Sequence, residues 1–519
     1  MNAPIITAGN GNGFPRRTFL AGSLFAVGAA ALAACTPGGA ATNSNAAVRI
    51  MLPLYGTAPD KNGTLQKAIE EYTGRKLNFS WVPSADYPDK TTVTLASGEL
   101  PDLMCILRKD QPGFIQSAEA GAFWDLTGKL DKFPNLIAAD EAVDLAASVN
   151  GVKHYGLFRL REPLGATTMY RQDWLDTLGL AIPETVEEWR TVAEAFVTER
   201  PGGTENTGLA LSSWGAIYGG GSPYEMIESW FGSPNGWGER GGKLVPAFDT
   251  EEFLEADTFL RGMRADGLLN ADFATLNNEG LDNAFFNGTA GMLVGGHSAV
   301  SFYADLFNEV DPGNGASYVG NGGNLIGPDG DRHAMAYVGY AGYIAVSKQN
   351  IKSDAQLDEL LTMLDKLNEP EGQRLLQLGI EDVSYELDGD YYVPIDTPEG
   401  KTISENAGQA FGHLYTAVNG RMYPERKPAT AADQAMYDRI QELLDRDIQV
   451  AVHDDAAAFV SPTAVSQGAV LNQIIGDARV QYISGQIDEA GYKDEIKRWH
   501  TAGGDDVIAE INELYEAAQ

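Results

Sequence analysis

Six histidines and two cysteines restrict the metal and nucleophile chemistry open to this 519-residue chain. His154, His297, His333, His413, His453 and His500 are too widely spaced for an HExxH or HxH metal motif. Cys35 and Cys105 cannot build a Cys-rich zinc or iron–sulfur site, nor a disulfide framework. Gly400-Lys401-Thr402 ends like a phosphate-binding loop, but the first glycine of such a loop falls on Ile395. Gly296-His297-Ser298 opens like a nucleophile elbow, and its closing glycine falls on Val300. Asp329-Gly330-Asp331 and Asp388-Gly389-Asp390 are acidic turns without the full calcium-loop pattern. A structural calcium stays open there, and no other cofactor is indicated. Glycoside hydrolysis would need two placed carboxylates, and nothing singles out a pair among 72 Asp and Glu.

Aromatic residues beside glycines point instead to binding. Trp214 and Tyr218 lie in Ser-Ser-Trp-Gly-Ala-Ile-Tyr-Gly-Gly-Gly-Ser, and Trp230 and Trp237 flank the next glycine-rich stretch. Tyr337, Tyr340 and Tyr343 recur in Tyr-Val-Gly-Tyr-Ala-Gly-Tyr. On loops, such rings offer flat apolar faces to the C–H faces of sugars; alternatively they pin the loops to a core. Trp174 and Trp189 follow helical spacing and are expected in the core. Asp86, Arg108, Arg159 and Arg161 are candidate polar partners for ligand hydroxyls or a carboxylate.

The elements that would carry these residues alternate in α/β fashion from Ala47 onward. Residues 48–52, 77–82 and 102–106 read as strands, with Cys105 a small core residue in the third. Helices are expected at 61–73, where Leu65, Ile69 and Tyr72 share a face, and at 88–97, stopped by Gly98. Thr185 and Glu188 form a capping box that opens a helix to about 197. Asp249 with Glu252 opens another, and Ser353 with Gln356 a third whose Leu357, Leu360, Leu361 and Leu364 mark its buried face. Further helices are expected near 431–446, 486–500 and 505–517. Stretches 200–208, 219–243 and 311–331 read as long loops, which in a compact domain tend to be binding surfaces.

The charge balance is 37 Lys+Arg against 72 Asp+Glu, a net −35. Such a surface repels phosphate backbones and anionic lipid, so nucleic acid is not an expected partner. The amino terminus reads as an address. Arg16-Arg17-Thr-Phe-Leu precedes an uncharged core at 18–34 and the sequence Leu32-Ala-Ala-Cys35, similar to a twin-arginine signal ending in a lipobox. Cys35 is then the lipidated first residue of an exported protein. Residues 36–47 are a small, polar tether with a reach of roughly 20 Å.

Several segments together resemble extracellular solute-binding lipoproteins of bacterial ABC importers, in the oligosaccharide and aldouronate branch. They are Leu95-Ala-Ser-Gly-Glu-Leu-Pro-Asp102, Met169-Tyr-Arg-Gln-Asp-Trp-Leu-Asp-Thr-Leu-Gly-Leu180 with Pro183-Glu-Thr-Val-Glu-Glu-Trp189, and Phe285-Phe-Asn-Gly-Thr-Ala-Gly-Met292. Gly379-Ile-Glu-Asp-Val-Ser-Tyr385, Trp499-His-Thr-Ala-Gly-Gly504 and Glu510-Ile-Asn-Glu-Leu-Tyr515 follow in order. The resemblance implies a non-enzymatic, monomeric two-lobe α/β clamp with hinge crossovers near 163–168 and 338–345. Its divisions are a signal at 1–34, the tether at 35–47, lobe one at 48–165 and 339–400, and lobe two at 166–338. Residues 401–519 are expected to pack mainly on lobe two. An oligosaccharide in the interlobe cleft and permease subunits are the implied partners, with the membrane reached only through the lipid. His297 stands where sugar-binding relatives place a stacking aromatic. A secreted carbohydrate-active enzyme, or a receptor for a peptide or another solute, stays open as an alternative. Long-range repulsion by the acidic body favours a neutral oligosaccharide.

Overall fold

The computed structural model describes residues 46–162, 164–203, 205–213 and 221–519. Cys35, Trp214 and Tyr218 therefore lie outside the described residues. The apolar runs collect into two principal sheets. The first orders its strands Leu77–Pro83, Val48–Leu54, Leu103–Ile106, Tyr340–Val346 and Leu157–Leu160. Val48–Leu54 runs parallel to both neighbours, whereas Tyr340–Val346 returns antiparallel between Leu103–Ile106 and Leu157–Leu160. Leu103–Ile106 is buried at every position, as a strand covered on both faces must be. The second sheet orders Val319–Gly323, Ala166–Arg171, Ala290–Gly296 and Thr207–Leu209.

Each sheet has its own core, which makes the protein two α/β lobes. Helices Thr64–Thr73 and Asp354–Leu367 supply Leu65, Ile69, Leu357, Leu360, Leu361 and Leu364 to the first. Helix Val186–Glu199 opens with the full capping box, Thr185 Oγ1 accepting from the Glu188 N–H, and buries Trp189 and Phe196 in the second. Helices Pro462–Ile483, Glu489–Trp499 and Asp505–Ala518 make a further apolar cluster with Leu244, Phe248 and Phe253.

The chain passes from the first sheet to the second through 161–165, returns through 336–339, and crosses again at 424–430. That third passage corrects the expected division at 400/401. Helix Pro398–Gln409 and the turn Phe411–Leu414 lay Ile403, Ala407, Phe411 and Leu414 on the first core, and Tyr415, Ala417 and Val418 follow them. Second-lobe packing begins with helix Ala431–Asp447, whose Met436 clusters with Phe307 and Val319. The stretches expected as loops also contain structure. Pro223–Trp230 is a helix with its own Ser222–Glu225 capping box, Trp237–Arg240 pairs with Lys243–Pro246, and Val319–Gly323 is a sheet strand.

Two glycines shape the return passage. Gly339 has φ +74°, and a Cβ there would meet Val143 Cγ2 at 2.4 Å. Gly342 has φ +76°, and a Cβ would meet the Ile106 carbonyl oxygen at 2.2 Å. Only glycine fits either position, so Tyr340 between them is presented at a fixed angle.

Candidate ligand-binding site

A cavity of about 1050 Å³ opens where the 161–165 and 336–339 passages meet the first lobe. Leu160, Arg161 and Glu162 come from the outward passage, and Tyr337 to Ala341 from the return. Tyr55, at the end of the first strand, and Gln409, His413, Tyr415, Arg421 and Tyr423 complete the wall. Five tyrosine rings thus face one space. Tyr415 and Tyr423 meet edge to face at 5.9 Å, and the Arg421 guanidinium lies 4.1 Å from the Tyr423 ring centre.

The floor is electrically unusual. Arg159 is only 3 % exposed, yet its guanidinium meets one carbonyl, Ala341 O at 2.8 Å, and the Cys105 sulfur at 3.7 Å. Its Nε has no partner, and among the described residues no carboxylate forms an ion pair with Arg159 or Arg161. Loss of water first and the neighbouring Arg159 second push Arg161 down to about 10. His413 is 5 % exposed with both ring nitrogens unpartnered, its ring tilted against Tyr55 at 5.5 Å. Burial, then Arg159 and Arg161, push this imidazole down to about 3, so it is neutral. The cavity therefore holds one buried and one exposed guanidinium, neither ion-paired among the described residues, beside a buried imidazole with an unused donor and acceptor. Buried polar atoms normally find partners, and this set suits an oxygen-rich anionic ligand.

A side chamber of about 470 Å³ shares Leu107, Val338 and Tyr340 with this cavity. Arg108, Lys109 and Asp110 line it from the first lobe, and Trp237 with residues of 454–465 from the second. Most polar groups here have partners within the chain. Arg108 holds Asp110 through two bonds of 2.8 and 2.7 Å. Lys109 Nζ donates to the carbonyls of Ala146, Ser148 and Ala457, which uses all three of its protons, and burial pushes it down to about 7.

The sequence-derived candidates separate accordingly. Arg159, Arg161, Tyr337 and Tyr340 line the cavity, and Arg108 and Trp237 line the side chamber. The other described candidates lie outside both linings. Trp230 is a core residue at 0 % exposure, edge to face with Trp189 at 5.4 Å and donating to Asn324 Oδ1 at 3.0 Å. Its helix turns the ring inward, so no ring face is left for a ligand. Tyr343 is buried behind Tyr340, their ring centres 5.4 Å apart, and donates to Ala147 O at 2.8 Å. His297 begins the helix His297–Val310, is 3 % exposed and meets Asn321 Nδ2 at 3.3 Å. Asp86 is an exposed residue before helix Tyr87–Ser97, away from both spaces. Tyr55, His413, Tyr415, Arg421 and Tyr423 were not among the candidates. The Gly-His-Leu-Tyr run at 412–415 and Arg-Met-Tyr at 421–423 carry the same glycine, aromatic and arginine composition that marked the others. Among the described residues no cluster of three metal-ligating side chains occurs, and no helix is long and apolar enough to cross a membrane.

Comparison with known proteins agrees with this architecture. Residues 57–373 match the family described as bacterial extracellular solute-binding protein. The chain is 33% identical over 484 residues to lipoprotein LipO of Bacillus subtilis (strain 168), covering 92% of this chain and 94% of that one. It is 28% identical over 488 residues to the polygalacturonan/rhamnogalacturonan-binding protein YtcQ of the same organism, covering 93% and 94%. An extracellular solute-binding protein from Bifidobacterium longum subsp. infantis superimposes with a TM-score of 0.69 over 91% of this chain and 98% of its own. At 16% identity that likeness speaks for the fold.

Proposed function

The chain belongs to the bacterial extracellular solute-binding protein family, and from that premise we propose that it captures a carboxylate-bearing oligosaccharide for an ABC importer. The family is one of binding proteins, and the cavity at the lobe crossovers supplies what capture needs. Tyrosine faces suit sugar rings, and the unpaired Arg159 and Arg161 suit a uronate carboxylate. This pair is the observation that carries the reading. The long-range field of a −35 body disfavours anions only weakly beyond a screening length of ~8–10 Å. Two guanidiniums at contact distance act with far less screening. The name of YtcQ, a polygalacturonan/rhamnogalacturonan-binding protein, supports the same ligand class.

In this reading Arg159, Tyr340, Arg108 and Trp237 are ligand contacts, with Trp214 and Tyr218 retained on their glycine-rich neighbourhood alone. The lobes close on the ligand by bending at the crossovers, and the closed form is what the permease recognises. Cys35 carries the acyl chains that hold the protein, as a monomer, on the outer face of the membrane. Calorimetric titration with trigalacturonate and with a matched neutral trisaccharide tests the ligand class. Binding of the acid should also shrink the radius of gyration in small-angle scattering. It should stabilise the fold by ~2.7 kcal/mol at a hundredfold excess over Kd. A protein that binds neither sugar would overturn the reading.

A further inference from the structure

The side chamber differs from the main cavity in a way that bears on what the ligand carries. Resting on the oligosaccharide reading above, we propose that this chamber seats an aromatic or similarly bulky apolar group attached to the captured sugar, either an aryl aglycone or an aromatic acyl ester. Its walls include Trp237, Tyr340, Val338, Phe459, Val465 and Ile511. Its charged members are largely committed within the chain, although Arg108 keeps N–H donors beyond its bonds to Asp110. Arg108 and Asp110 are bonded to each other, and Lys109 has given its three protons to carbonyls. Asp454 accepts the backbone N–H groups of Ala456 and Trp237, and Ser461 bonds Glu510 while capping helix Pro462–Ile483.

A sugar ring in this space would find few partners for its hydroxyls away from Arg108, at a cost of about 1–3 kcal/mol for each one buried unpaired. An apolar ring has no hydroxyl to leave unpaired and gains the aromatic wall. At about 470 Å³ the chamber falls within the usual range for pockets that hold ring-sized groups. It also adjoins the cavity, Leu107, Val338 and Tyr340 lining both, which puts it within reach of a group attached to the captured sugar. The main cavity offers the opposite chemistry, with unpartnered nitrogens on Arg159 and His413.

The test compares pairs of sugars that differ only in the apolar group. Glucuronosyl-xylobiose and trigalacturonate are titrated as free sugars and as 4-nitrophenyl glycosides. A feruloylated xylo-oligosaccharide is titrated against its de-esterified form. At least one pair should show the decorated sugar binding tenfold or more tightly. The pair that does so identifies the aglycone or the ester as the source. In Ala464→Leu, which extends a side chain into the chamber from the first turn of its helix, the ratio of the two Kd values should fall towards one. Trp237→Leu, which removes a wall ring, should reduce the ratio as well, and melting curves establish that both variants fold. Equal affinities within every pair, or a ratio that survives Ala464→Leu, would overturn the chamber assignment and leave the oligosaccharide reading intact. Failure of every sugar, free or decorated, would overturn both.

Discussion

Two buried arginines in this protein have opposite surroundings. Arg479, on helix Pro462–Ile483, is fully buried between Glu228 and Asp257 of the second lobe, and Tyr492 donates to Asp257 Oδ2 at 2.5 Å. Arg159 is buried almost as deeply in the first lobe, yet it has a carbonyl and a thiol sulfur where Arg479 has two carboxylates. Burying an ion is costly, and the cost is offset only by a good set of partners. Arg479 has that set within the chain, so its charge ties the C-terminal helices to the second lobe. Arg159 lacks it, and in the proposed reading the ligand supplies the partner. The difference teaches that depth of burial does not identify a functional charge; the compensation around it does.

The largest expected effect falls on the compensated arginine. Arg479→Met leaves Glu228 and Asp257 buried without their cation and should destabilise the protein by about 3–5 kcal/mol, read from chemical denaturation. Its effect on ligand affinity in the folded fraction should be slight. Arg159→Met should do the reverse. Losing a charge-assisted bond of ~1.5–3 kcal/mol should weaken a uronate ligand roughly ten- to a hundredfold while the ligand-free melting temperature holds or rises. If Arg159→Met unfolds the protein and leaves affinity intact, the two arginines are both structural and the contrast fails.

How far the sequence reveals this contrast depends on how local the signal is. Helix starts are local. Thr185 with Glu188 and Ser353 with Gln356 cap where expected, although at the next helix Thr250 takes the cap expected of Asp249. The same signature stands at Ser222 and Glu225, where the surrounding glycines mask it and give Trp230 the appearance of a loop residue. Compensation, by contrast, is not local. Arg479 meets Glu228 from 251 residues away in sequence, and the cavity joins Tyr55, Arg159, Tyr337 and His413 from four separate segments. Periodicity says nothing about such meetings. The 401–423 segment shows the limit most clearly, since its helical pattern gives no indication of which lobe its apolar face will cover.

Acid should separate the two regions by a smaller margin. His413 in the first lobe is pushed down to about 3 and His297 in the second to about 4, each chiefly by burial. Both are neutral when folded and take up protons near 6.5 when unfolded. The unfolded chain therefore binds more protons below that pH, and stability falls as pH drops from about 6.5 towards the folded values, by ~1.4 kcal/mol per unit for each histidine. His413→Gln should remove one share of this slope. In the uronate-bound protein the His413 share should also shrink, because an anion beside the ring favours its protonation. His297→Gln should alter the slope equally with and without ligand. Denaturation midpoints at pH 4.5, 5.5 and 6.5 distinguish these outcomes.

The smallest expected effect sets the body against the cavity. A net charge of −35 repels an anionic sugar during its approach, while Arg159 and Arg161 attract it only over the last few ångströms. The screening length falls from ~30 Å at 0.01 M salt to ~8 Å at 0.15 M, which weakens the long-range repulsion much more than the contact between partly buried groups. Stopped-flow association of trigalacturonate should therefore speed up with salt by a few-fold at most, with dissociation nearly constant. Arg161→Gln should leave the salt slope of the association rate largely in place, since it alters one charge among many, and should raise the dissociation rate. An association rate that falls with salt would mean that the arginines govern the encounter as well as the bound state. The uncompensated charge would then extend its influence beyond the cavity, and the division between an acidic body and a local basic site would have to be redrawn.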